Sequence, residues 1–349
     1  MSIFEINPDI RRAETLASDF YTDERYFDES KEKIFARTWQ MVGHRDEVEN
    51  LLPHTMLERF LDEPVLLVRD GGGSEFRCLS NVCTHRGKIL IESACQANLI
   101  RCGYHGRRFD LGGKFLSMPE FERVENFPSK KEDLPQIASG RWENLLFASL
   151  APIRPLADFT ANLTETLAPI DLANLQFAST QDYEVKAHWA LYCENYLEGF
   201  HIPFVHQSLN EAIDFAGYTT ETFRFSSLQT GLAKRAEDGF DFDGRRAAFY
   251  FFVFPNLMLN FYPWGLSVNV VKPQTPDLTR VTYLTFVSDE SKLNVGAGAN
   301  LDRVELEDQK VVEAVQKGIR SRFYQKGRYS PRREQGTHHF HRLIAEFMN

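Results

Sequence analysis

The sequence predicts an α+β protein: a small all-β domain, then a domain whose antiparallel sheet is flanked by helices. Three observations carry that reading. Between Trp39 and Leu150 the apolar runs are short and broken by turn residues. Residues 249–287 hold longer strand-like runs, "FYFFVFPNLMLNFY" and "TRVTYLTFVSD". Residues 187–200 and 301–325 are patterned as helices, the second strongly amphipathic.

In chain order, residues 1–38 form an N-terminal arm with helical patterning over 9–38. Residues 39–154 form the β domain. Within it "PVLLVRDGGGSEFRCLS" reads as a hairpin turning at Gly71 to Gly73, and "RRFDLGGKFLS" as another turning at Gly112 and Gly113. In "LAPIRPLADF", Pro152 and Pro155 follow a strand and mark a domain boundary, so the second domain runs over 155–349.

Composition narrows the function. A formal net charge of −9 argues against a nucleic-acid partner and against binding to an anionic membrane surface. The first twenty residues lack the apolar core of a signal peptide, and no window approaches a membrane-spanning length. The five cysteines (78, 83, 95, 102 and 193) are an odd, sparse set, which points to a reducing, cytoplasmic setting rather than a disulfide framework. There, Cys paired with His reads as metal ligands.

Two such pairs occur. "NVCTHRGK" places Cys83 two residues before His85, and "RCGYHGRRF" places Cys102 three before His105, with 16 residues between the pairs. A structural zinc site groups like ligands, two Cys in one knuckle and two His in another. Chance placement of core Cys and His rarely gives two tight mixed knuckles. A Rieske [2Fe–2S] centre needs this donor set, two Cys on one iron and two His on the other. Gly87, Gly103 and Gly106 fit as turn glycines that bring backbone N–H groups to the cluster sulfurs. Cys78 and Cys95 fall outside the spacing and read as core or surface thiols.

The second cluster of candidates lies in "LYCENYLEGFHIPFVHQS", with Glu194, Asn195, Glu198, His201 and His206. On an ideal helix His201 and His206 diverge by about 140°. Pro203 between them breaks that regularity and allows both rings to converge. A carboxylate would complete a 2-His-1-carboxylate triad for non-haem Fe(II). In "LDRVELEDQKVVEAVQKGI" the apolar stripe runs Leu301, Val304, Val311, Val312, Val315 and Ile319, and Asp308 falls within it. A buried carboxylate is costly unless paired or metal-bound, so Asp308 is the candidate, with a buried salt bridge as the rival reading. Asp302, Glu305, Glu307 and Glu313 are expected to project elsewhere. His44, His54, His188, His338, His339 and His341 read as packing or hydrogen-bonding residues.

A Rieske centre followed by E-x-x-H-x-x-x-x-H and a downstream Asp resembles the catalytic alpha subunit of the Rieske non-haem iron oxygenases over nearly the whole chain. The resemblance implies a β-sandwich Rieske domain, a catalytic domain with an antiparallel sheet flanked by helices, and an arm that packs with the catalytic part. It implies that Cys83, His85, Cys102 and His105 hold the cluster and that His201, His206 and Asp308 hold the iron. Glu198 would link one subunit's cluster histidine to the next subunit's iron, in a head-to-tail homotrimer. Glu194 would approach the iron from the preceding helical turn. Electrons would come from a separate NAD(P)H-dependent flavin/iron-sulfur reductase and be used with O2 on a C–H bond. Gly103 and Arg107 stand where the family commonly has Pro and Trp, a difference that bears on the cluster's potential and docking surface.

The sequence is most similar to the branch acting on quaternary ammonium compounds such as choline, carnitine or betaines. Phe252, Phe254, Phe261, Tyr262 and Trp264 could form an aromatic cage for a methylammonium group, or simply the core face of a strand. Aromatic-ring hydroxylation is the runner-up. A Rieske electron-transfer protein without oxygenase activity is the alternative of another class; it predicts about two irons per chain where an oxygenase predicts about three.

Overall fold

The computed structural model describes residues 4–69, 76–235, 239–240, 242–293, 295–299 and 301–349. The class is the predicted α+β. The chain falls into two compact units, Ala36–Leu156, and Met1–Phe35 together with Ala157–Asn349.

In the arm, helices α1 (Asp19–Thr22) and α2 (Glu24–Ser30) run into a π-helical turn at Lys31–Phe35. Helix therefore starts ten residues later than the patterning from residue 9 suggested. Asp23 caps α2 by accepting the Arg25 N–H.

The β unit contains β1 (Gln40–His44), β2 (Leu51–Met56), β3 (Glu63–Arg69), β4 (Phe76–Ser80), β5 (Ile100–Arg101), β6 (Arg108–Phe109), β7 (Phe115–Ser117), β8 (Gln136–Trp142) and β9 (Leu145–Ser149). They make a six-stranded antiparallel sheet in the order β1-β9-β8-β4-β3-β2 and a three-stranded sheet β5-β6-β7. Strand β3 is buried on both faces, which is why "VLLV" is continuously apolar rather than alternating. Leu66 and Val68 join Ile100, Phe109 and both knuckle cysteines in one core, while Val65 and Leu67 join Leu146 and Ala148 in another. β3 pairs with β4 as expected, and the turn assigned to Gly71–Gly73 lies outside the described residues. The second predicted hairpin is β6–β7, with Gly113 at φ +81°.

The larger unit carries one seven-stranded antiparallel sheet in the order β10-β16-β15-β14-β13-β12-β11. Its strands are β10 (Gln176–Val185), β11 (Ile213–Thr222), β12 (Ser226–Ala233), β13 (Arg246–Val253), β14 (Leu257–Tyr262), β15 (Gly265–Thr275) and β16 (Leu278–Val287). Gln229, Tyr250, Asn260 and Ser267 lie in register across four strands, one residue away from the apolar row Leu228, Phe251, Leu259 and Val268. Successive residues face opposite sides of a sheet, so this one has a polar row on one face and an apolar row on the other. The helices of the unit are α3 (Leu156–Thr166), α4 (Trp189–Tyr196), α5 (Ile202–Val205), α6 (Gln207–Ala212), α7 (Leu301–Gly318) and α8 (Gln335–Met348). α4 and α7 are shorter than the helical patterning of 187–200 and 301–325, and α8 was not foreseen.

His188 caps α4, its Nδ1 accepting the Ala190 N–H, amid the rings of Phe20, Tyr21 and Phe27. Burial lowers its pKa to about 3. The unfolded chain takes up this proton near the ordinary pKa of about 6.5, the folded chain only near the lowered value. Stability from this site is therefore intact above pH 6.5 and lost progressively as pH falls toward 3. Asn keeps a capping acceptor but does not titrate. His188→Asn should lose about 3 kcal/mol less stability than the parent between roughly pH 7 and pH 4. Urea unfolding across that range measures it, and parallel losses would show that His188 does not stay neutral.

Candidate active site

The two Cys–His knuckles share one hydrogen-bond frame. The Cys83 N–H donates to the Lys88 carbonyl and the Gly87 N–H to the Cys83 carbonyl; Cys102, Arg107 and Gly106 repeat both bonds. Gly87 and Gly106 sit at φ +71° and +75°, a region that L side chains rarely adopt. The frames bring the Cys83 and Cys102 thiols together, and the His85 and His105 ring centroids lie 4.9 Å apart. The Tyr104 N–H donates to Cys102 Sγ at 3.4 Å. His105 Nδ1 is buried with no hydrogen-bond partner in the protein. An orphaned imidazole nitrogen beside a second imidazole, with two thiols paired alongside, fits the donor set of a Rieske cluster.

Arg107 is 1% exposed, forms an ion pair with Glu132, and lies over the rings of Phe109, Phe115 and Phe127. Its guanidinium is thus a packed core element at the position where Trp is common.

The second site is assembled from α4, α5, α6 and α7. Pro203 falls in the first turn of α5, with His201 at its N-cap; His206, at φ −111° and ψ 83°, breaks the chain between α5 and α6. The break lets two histidines five residues apart converge, with ring centroids 5.1 Å apart. Among the described residues, His201, His206 and Asp308 are the group that could hold a metal, their ligand atoms lying within 4.8 Å of one another. His206 Nε2 is 3.0 Å and His201 Nε2 3.6 Å from Asp308 Oδ1. Each ring turns its other nitrogen to a carboxylate: His201 Nδ1 to Glu198 at 2.7 Å, His206 Nδ1 to Glu307 at 2.9 Å. Carboxylate acceptors hold the proton on Nδ1 and leave both Nε2 lone pairs pointing inward. Asn195 Nδ2 donates to Asp308 Oδ1 at 2.9 Å and fixes that carboxylate.

Several expectations are corrected here. Glu194 does not approach the triad. Its carboxylate accepts from Tyr21 Oη at 2.8 Å and meets His341 Nε2 at 3.1 Å, joining the arm, α4 and α8. Successive helical residues point about 100° apart, so only one of Glu194 and Asn195 can face Asp308, and Asn195 does. Glu307 and Glu305 were expected to project elsewhere. Glu307 instead holds His206, and Glu305 is only 3% exposed, accepting from the hydroxyls of Tyr192 and Tyr283. Asp302 and Glu313 do point away, to Tyr183 and the Lys186 N–H.

A cavity of about 110 Å³ opens beside the triad. Six tyrosines line it: Tyr192, Tyr196, Tyr218, Tyr250, Tyr262 and Tyr283. Burial pushes their pKa values up, so all are neutral phenols. Of the five aromatics expected to form a cage, only Tyr262 lines the cavity. Phe261 lies on the other sheet face beside Phe251, Phe252 and Phe254 pack on Phe340 of α8, and Trp264 stacks behind Tyr262.

A mixed Cys–His set and a two-His-one-Asp set are the donor sets of a Rieske-type oxygenase. The comparisons with known proteins agree. Residues 38–128 match the Rieske [2Fe-2S] domain family, and residues 172–349 match the ring hydroxylating alpha subunit (catalytic domain) family. Choline monooxygenase, chloroplastic, of Arabidopsis thaliana is 30% identical over 98% of this chain and 85% of its own. The carnitine monooxygenase oxygenase subunit of Escherichia coli K12 is 31% identical over 98% and 96%. Among solved structures, the quaternary ammonium Rieske monooxygenase CntA in complex with L-carnitine aligns with a TM-score of 0.79 at 24% identity, covering 99% of this chain and all of that one. Naphthalene 1,2-dioxygenase with indole bound aligns at 0.74 and 18%, covering 98% and 94%. The last two likenesses concern the fold alone.

The chain belongs to the Rieske non-haem iron oxygenase alpha subunits. It is an oxidoreductase whose cofactors are a [2Fe–2S] cluster and a mononuclear iron, and it takes electrons from a reductase for use on a small-molecule substrate. No described helix is long and apolar enough to cross a membrane.

Proposed function

We propose that this chain is the terminal oxygenase for a methylated ammonium compound, which it oxidises or N-demethylates by attack on a C–H bond. One observation carries the reading: the cavity beside the His201–His206–Asp308 triad is lined by six tyrosines and by a buried carboxylate, Glu305. An aromatic hydrocarbon would leave Gln229, Asn260, Ser267 and Asn269, which line the same cavity, facing an apolar ligand.

In this assignment Cys83 and Cys102 hold one cluster iron and His85 and His105 the other, while His201, His206 and Asp308 hold the mononuclear iron. When bound, the two groups supply one-electron transfer and O2 activation. The protein's part is orientation. Glu198 and Glu307 fix the tautomers of His201 and His206, and Asn195 fixes Asp308. Glu198, already bonded to His201, is the electron bridge from the cluster histidine of an adjacent subunit in a homotrimer. A separate NAD(P)H-dependent flavin/iron-sulfur reductase in the cytoplasm supplies the electrons. Residues 1–38 serve the catalytic domain, 155–349, and residues 39–154 form the cluster domain.

A panel of methylated amines and aromatic acids, assayed with a surrogate reductase for O2 uptake and formaldehyde or hydroxylated product, tests the reading. Coupled uptake with methylated ammonium compounds alone is expected; product from the aromatic acids alone would reverse it.

A further inference from the structure

Relatives acting on choline and on carnitine match this chain equally well, at 30% and 31% identity. Identity therefore does not say whether the substrate is a simple cation or a zwitterion with its own carboxylate. The cavity does distinguish them.

We propose that Glu305 is the counter-ion for the substrate's ammonium group, and that this site selects small organic cations without a carboxylate and rejects zwitterions. The inference rests on the methylated-ammonium reading above. Glu305 lies on α7, one turn before Asp308, and accepts from Tyr192 Oη, Tyr283 Oη and, at 3.2 Å, Gln309 Nε2. All three partners are neutral donors. A carboxylate buried with neutral donors alone is left electrostatically short, and a cation in the cavity makes up the difference. Burial moves the Glu305 pKa upward, against the charged form, and a cation beside it would restore the carboxylate.

No Lys or Arg is among the described residues lining the cavity, whereas Glu198, Glu305 and Asp308 are. A substrate carboxylate would enter a negative site with no cation of the protein to receive it. A neutral residue of the lining points the same way. Gln229 is 1% exposed; its Nε2 is committed to the Tyr196 carbonyl at 2.6 Å, and its Oε1 is buried without a partner. A free acceptor suits a hydroxyl or N–H donor and repels a carboxylate.

The test is equilibrium binding to the iron-loaded full-length protein, with four probes: choline, its neutral carbon isostere 3,3-dimethyl-1-butanol, L-carnitine and γ-butyrobetaine. Choline should bind roughly tenfold or more tightly than each of the other three. Glu305→Gln should remove that advantage over the isostere without changing isostere binding, and Glu305→Asp should retain part of it. The comparison among probes on the parent protein stands even where a variant does not fold. Carnitine binding as tightly as choline, or Glu305→Gln leaving choline unchanged, overturns this inference and leaves the methylated-ammonium reading intact. Binding of none of the ammonium probes, with turnover of an aromatic acid, overturns both.

Discussion

Asp308→Ala is expected to lower the iron content from about three to about two per chain and to abolish oxygenation, while the visible spectrum of the cluster is unchanged. Asp308 Oδ1 is the atom on which both inward-facing imidazole nitrogens converge, so its loss leaves His201 and His206 without the third ligand. The candidate cluster ligands are carried by loops of the other compact unit and by none of the elements that build the triad. His201→Ala should have the same effect. Iron determination with absorption spectroscopy reads both quantities on one sample. Unchanged iron in both variants would mean that the triad binds no metal and that the chain only carries electrons.

Glu198→Gln should leave iron largely in place and slow turnover by roughly a hundredfold. The carboxylate accepts three bonds, from His201 Nδ1, the His201 N–H and the Phe200 N–H. An amide has one acceptor oxygen, so either the imidazole or the two backbone donors lose their partner. The bridge role makes a kinetic demand that simple orientation does not. In stopped flow, the cluster of the variant should be reduced by the reductase at the parental rate. Its reoxidation with substrate and O2 should then be about a hundredfold slower at full iron loading. Parental reoxidation with diminished product would leave Glu198 as a positioning residue for His201 and remove the bridge.

Much of the candidate site was legible because its candidate ligands sit in short-range patterns. Both knuckles are contiguous, but the break that lets His201 and His206 converge falls at His206, while Pro203, expected to supply it, sits in the first turn of α5. Asp308 was found by its place in a helical stripe, but the stripe itself was drawn too simply. Val315 is 44% exposed, and the face α7 buries runs through Glu305, Val312 and Gln316. Two of those are polar because the helix borders a cavity at one end, and at the other Gln316 accepts the His188 N–H. Apolar periodicity cannot reveal a buried face made of polar residues, so Glu305 was missed. Strand β10, exposed along nearly its whole length at the sheet edge, has no alternation to read, and β11 is half-exposed at the opposite edge. The tyrosine cavity draws on four helices, the turns beside them and six strands, a convergence that only the tertiary fold creates.

The most direct test of the account is a single turnover. Protein reduced anaerobically and freed of reductase is mixed with O2, with and without a methylated ammonium compound. With the compound, the account predicts rapid cluster reoxidation and up to one oxidised product per mononuclear iron; without it, reoxidation is slow. Reoxidation at the same rate in both, with no oxidised product, would contradict it.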